Sequence, residues 1–109
     1  MTNRRFALPA ALVALAAGLP PPALAQSVQL VPTACPFRAE TGLAIIGAKS
    51  EAEGVDSEYA WIEANRPGWD AEHVATRAKA GRVYDLIRIT RAGKSATICF
   101  DITAFWGKF

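Results

Sequence analysis

The sequence is poor in the side chains that most chemistry uses. Among 109 residues there is one histidine, one methionine and two cysteines. A lone histidine, with no His/Cys/Asp/Glu cluster at ligand spacing, argues against a metal centre. No Gly-rich phosphate loop, Gly-x-Ser-x-Gly elbow or His-Glu-x-x-His helix occurs, and no cofactor is expected. His73 reads as an exposed residue at a strand start. Net charge is equally scarce: the formal +2 resides in Arg4 and Arg5, because residues 26–109 carry ten Lys/Arg and ten Asp/Glu. A neutral chain this short excludes a multidomain enzyme and disfavours a nucleic-acid partner.

Charge is also missing locally, with no charged residue between Arg5 and Arg38. Arg4 and Arg5 form a positive start, Ala10 to Leu19 an apolar run, and Pro20, Pro21 and Pro22 stop any helix before the small-residue site Ala23-Leu24-Ala25. That order is an export signal over 1–25, cleaved before Gln26. A membrane-spanning helix needs roughly 20 apolar residues and no triple proline, so no membrane span is expected after cleavage. The protein is expected in the periplasm or the medium. In such an oxidising compartment two cysteines read as a disulfide, Cys35 to Cys99. Closing a loop of about 65 residues is worth roughly 4 kcal/mol on the chain-entropy model. Redox chemistry would want a close Cys-x-x-Cys pair, which is absent.

The remaining chain divides into an irregular arm over 26–41, holding Pro32 and Pro36, and one domain over 42–109. Leu43 to Ala48 is a short apolar run suited to a first strand. Ser50-Glu51-Ala52-Glu53 is a capping box, followed by Ala52, Val55, Tyr59 and Ile62 on one stripe at 100° per residue. Arg66-Pro67-Gly68 ends that helix. Three strands follow, punctuated by Ala80-Gly81 and Ala92-Gly93. With an even number of residues in each turn, Val74, Val83, Ile87, Ile89, Ile98, Phe100 and Ile102 collect on one face. His73, Arg77, Lys79, Arg82, Tyr84, Arg88, Thr97 and Asp101 collect on the other. A slip of one residue would bury Arg88 and expose Ile87 and Ile89. The expected fold is therefore α+β: one amphipathic helix on a three- to four-stranded antiparallel sheet, β-α-β-β-β, with one disulfide.

This order is similar to the cystatin-like layout. The inhibitory Gln-x-Val-x-Gly hairpin of cystatins is absent, since the first hairpin reads Arg77-Ala78-Lys79-Ala80-Gly81-Arg82, and fold alone does not fix function. The segments Ala48 to Gly54, Glu58-Tyr59-Ala60-Trp61, Pro67-Gly68, Tyr84-Asp85-Leu86 and Phe100 to Lys108 resemble a group of short exported bacterial proteins without assigned activity. That resemblance implies domain limits and no catalytic residue.

Asp85 breaks the alternation by pointing to the core side opposite Phe100. A buried charge must be paired, so Asp85 is either bonded structurally to Thr76, Arg66 or free amides, or is a polar group in a ligand pocket between helix and sheet. Charge is segregated as well: residues 26–72 hold three basic and eight acidic side chains, and residues 73–109 seven and two. Arg77, Lys79, Arg82 and Arg88 with Tyr84 make a basic face able to meet a protein or an anionic envelope component, or simply a solubilised one. Trp61 lies roughly 140° from the helix stripe, as a contact anchor or a site for the arm to cover. Trp69, Phe105, Trp106 and Phe109 suit packing at the core edge. The expected function is a non-catalytic exported binding or inhibitor-like module. Its rivals are a small enzyme or accessory domain using Asp85 and His73, and a structural protein dimerising through an open strand edge.

Overall fold

A computed structural model describes residues 28–109. The export signal expected over 1–25 lies outside the described residues, as do Gln26 and Ser27. The elements are β1 (Gln29–Pro32), β2 (Thr41–Ile46), α1 (Glu51–Asn65), β3 (Asp70–Lys79), β4 (Arg82–Arg91) and β5 (Lys94–Asp101). The strands make one sheet in the order β1-β2-β5-β4-β3.

The α+β class, the helix and the Cys35–Cys99 disulfide are present, but the expected three to four antiparallel strands are corrected to five in a mixed sheet. Part of the arm over 26–41 is strand β1, antiparallel to β2 with Leu30 opposite Ile45. The apolar run begins its strand at Thr41 and ends it at Ile46, before Gly47 with φ 93°. This β2 pairs parallel to β5, Leu43 lying opposite Phe100. The reason is the helix: fifteen residues span roughly 22 Å, which returns the chain across the sheet. Strand β3 therefore starts at the far edge in the same direction as β2.

The hairpins follow the sorting of apolar from charged residues. Ala80-Gly81 and Ala92-Gly93 are two-residue turns with φ of 53°, 80°, 52° and 80°, the all-positive pattern whose twist suits a hairpin. Ile87 consequently faces Ile98, Ile89 faces Ala96 and Asp85 faces Phe100. Strand β3 departs from expectation at one point, a bulge between His73 and Ala75. The extra residue, Val74, is exposed rather than in the core. His73 is shifted from the expected outer face to the helix-facing side, opposite Ile87.

The helix begins as its capping box dictates: Ser50 Oγ accepts from Glu53 N at 3.2 Å. The Glu53 carboxylate reaches back to Lys49 N at 2.6 Å, one residue further than a reciprocal box requires. Its orientation differs from the expected stripe. Gly54, Glu58 and Ile62 are buried, while Ala52 is exposed and Val55 and Tyr59 are each 37% exposed. Gly54 is required there, because a Cβ would fall 2.3 Å from the Phe105 ring. Beneath the helix, Ile45, Ile87, Ile89, Ile98 and Phe100 form the main core, closed by Phe105.

Candidate functional site

A cleft of about 300 Å³ lies between the helix, β3–β4 and the C-terminal turn. Its walls are apolar, built by Val55, Tyr59, Phe105 and Trp106, and its polar groups are Glu51, Glu58, His73, Thr76 and Asp85. Each is placed by a specific local feature. The bulge at Val74 turns His73 inward, and the restored register puts Thr76 opposite Asp85. The C-terminal turn is clasped to the start of the helix: Glu51 N donates to Lys108 O at 2.7 Å, and Gly107 N donates to Glu51 Oε2 at 2.6 Å. Helix starts carry unpaired N–H groups, so the clasp satisfies one of them while holding Trp106 at the rim.

The polar groups form a connected cluster. Thr76 Oγ1 donates to Asp85 Oδ1 at 2.5 Å. His73 Nε2 lies 3.2 Å from the same oxygen and 2.9 Å from Thr76 Oγ1. With the Thr76 proton committed to Asp85, an Nε2–H donor satisfies both histidine contacts. Glu58 is 1% exposed. Burial, then the hydrogen bond and the charge of Asp85, push its pKa up to about 10, so it carries a proton at neutral pH. Its Oε2 is buried and meets no hydrogen-bond partner among the described residues. Burial, followed by the charges of Glu58 and Asp85, also raises the pKa of the adjacent Tyr59. A buried polar atom without a partner costs about 1–3 kcal/mol and calls for an explanation.

Asp85 thus has the Thr76 bond that was one of its expected alternatives, and it also lines a pocket between helix and sheet. Glu58 and the inward turn of His73 were not foreseen. The available signal was the need of Asp85 for a donor from the helix, but hydropathy alone places no acid on a buried helix face.

The basic strand face is organised differently from expectation. Tyr84 is buried with Leu86 and Cys99 beneath Cys35, Phe37 and Ala39 of the arm. Phe37 meets the Tyr84 ring edge-on at 5.6 Å. Arg77 and Lys79 lie over Phe37, at 5.7 and 6.0 Å from its centre. Arg82 donates to Asp101 at 2.6 Å, and Arg88 to Glu72 at 3.1 Å. Burial alone would raise the Asp101 pKa, but hydrogen bonds from Arg82 and Thr103 outweigh it and hold the pKa low. Trp61 is not an exposed anchor: it is half-buried, edge-on to Phe100 at 6.3 Å, on the opposite side of the sheet from the basic residues. Of the other aromatics, Phe105 is buried and Trp69 packs against the core, whereas Trp106 and Phe109 are exposed.

A larger hollow of about 420 Å³ lies near the helix C-terminus, where Arg66 stacks on Trp69 at 5.9 Å and pairs with Glu40. Among the described residues its polar groups carry no buried orphan atom, so the smaller cleft is the candidate. Among the described residues, no group of three His/Cys/Asp/Glu side chains is arranged to hold a metal ion, and no helix is long and apolar enough to cross a membrane. Compared with protein-family models, curated proteins and solved structures, the chain matches none.

Proposed function

We propose that the protein is an exported, disulfide-stabilised binding module without chemistry of its own, acting in the periplasm or medium, and that it binds through the helix–sheet cleft. The observation that carries this reading is the buried, unpartnered Glu58 Oε2 beside Asp85. The walls add support, since Val55, Tyr59 and Trp106 leave apolar surface open around that polar floor. Apolar walls with a few convergent polar groups are the usual make-up of a small-molecule site. The strand face is the weaker candidate because its arginines are paired and its tyrosine is covered. Dimerisation through β3 is disfavoured by its bulge and its charged residues, both of which guard strand edges.

The test is retention. Oxidised protein incubated with extract and repurified is expected to release a bound small molecule on denaturation. A Val55→Trp variant, which fills the cleft, should release none; equal yields from both proteins would sink the reading. Export is tested separately by the mass of the secreted chain, expected to begin at Gln26.

A second reading, a small acid–base enzyme, is favoured by one observation: His73, Thr76 and Asp85 share hydrogen bonds at a half-open rim. An activity that survives both His73→Ala and Asp85→Asn would eliminate it.

A further inference from the structure

The chemistry of the cleft restricts what it can hold. Among the described residues its acidic side chains are Glu51, Glu58 and Asp85, His73 is the sole basic one, and neither lysine nor arginine lines it. An anionic ligand would meet the Asp85 carboxylate with no lysine or arginine among the described residues to offset it, at an energetic cost that grows as water is excluded. The unfilled hydrogen-bonding capacity is of one kind. Glu58 gives its proton to the hydrogen bond with Asp85, which leaves Oε2 to accept, with no donor among the described residues, and a carboxylate such as Asp85 only accepts. The ligand must therefore bring donors. Around this acceptor floor stand the rings of Tyr59, Phe105 and Trp106, whose faces are electron-rich and attract cations. Phe105 is held by its contact with Gly54, and Trp106 by the clasp of the C-terminal turn on Glu51, so the aromatic side is built before any ligand arrives.

We propose that the cleft takes the ammonium group of a small organic amine, with Asp85 as counter-ion, Glu58 Oε2 as an acceptor and Tyr59 and Trp106 flanking an apolar body. This inference rests on the cleft being the binding site, and it adds the ligand class. Three donors on a compact ammonium match two carboxyl groups better than one hydroxyl does. An apolar body replaces water along Val55 and Trp106, which an inorganic cation cannot do. No covalent step is involved.

The experiment titrates the oxidised protein with 2-phenylethylamine, 2-phenylethanol and phenylacetate, following the backbone amide signals of the cleft residues by NMR. The three probes share a ring and differ in the charge of the head group. The amine is expected to saturate, the alcohol to bind about tenfold more weakly or worse, and phenylacetate not to bind. Asp85→Asn should lower amine affinity about tenfold while leaving the alcohol within about twofold. Trp106→Ala, at an exposed position that the fold does not need, should cost the amine about threefold. It keeps the test decisive should Asp85→Asn fail to fold. An amine that binds no better than the alcohol overturns the inference, as does one that never saturates. Saturation by the alcohol or phenylacetate alone leaves the binding reading intact and rejects only the cation. Failure of all three probes, together with an empty repurified protein, rejects both.

Discussion

The two faces of the sheet are closed by opposite means. On one side a helix covers isoleucines and phenylalanines but leaves a cleft whose floor holds a protonated Glu58 with an orphan oxygen. On the other, an arm with no helix is fixed by a disulfide over Tyr84 and Leu86, and the charges around it are paired or stacked on Phe37. The arm face spends its polar groups on itself. The helix face keeps some unspent, which is why the proposed binding site is placed there although the arm face carries more charge.

Predictions that break or sharpen this contrast run from large effects to small. Removing the bridge with Cys35→Ser and Cys99→Ser should cost about 4 kcal/mol, read as a fall of roughly 16 °C or more in melting temperature. The loss should appear first at the arm face, as exposure of the Tyr84 ring. The helix face should instead respond to pH. Glu58 keeps its proton when folded, to about pH 10, and releases it near pH 4.5 when unfolded. The unfolded chain therefore binds fewer protons between those values, and stability falls as pH rises through that window, by roughly 1.4 kcal/mol per unit. Between pH 6 and 8 the drop is about 3 kcal/mol, and Glu58→Gln should abolish it in denaturant melts at the two pH values.

Gly54→Ala places a methyl group against Phe105 and should cost about 1–3 kcal/mol by overpacking, despite alanine's better helix propensity. Ala80→Gly and Ala92→Gly should each stabilise by up to about 1 kcal/mol, because the alanines sit at φ of 53° and 52°, a region disfavoured for residues with a Cβ. The smallest effect belongs to the exposed Arg88–Glu72 pair, where Arg88→Ala should change stability by less than about 1 kcal/mol. Replacing Arg77, Lys79 and Arg88 together should leave retention of the cleft ligand unchanged. A loss there would return function to the arm face.

How far the sequence discloses this arrangement varies with the kind of signal. The pairing of Ile87 with Ile98 was legible because one register alone separates isoleucine from arginine across three strands. The disulfide was legible from cysteine count and the expected compartment, and the helix start from Ser50 and Glu53. The helix face was not. Val55 and Tyr59 are apolar without being core residues, since they wall the cleft, while the buried Glu58 subtracts from the face it occupies. The bulge at Val74 was equally hidden, because an extra residue in one strand preserves composition and changes only which neighbours point inward. Its effect was to bring His73 to Asp85. Parallel pairing of β2 with β5 depends on contacts between segments more than fifty residues apart, beyond any local pattern. The parts that escaped the sequence are thus concentrated around the cleft, where local rules yield to the placement of polar groups.

The position of β5 sets the order in which the molecule can be assembled. It is the central strand, between β2 and β4, yet it follows every other strand of the sheet in the chain, and it carries Cys99 just ahead of the turn bearing Phe105. Until it emerges from the ribosome, β2 has no neighbour toward the sheet centre, Cys35 has no sulfur to meet and the helix has no ring to rest on. The disulfide and the central pairing of the sheet therefore cannot form until β5 is present.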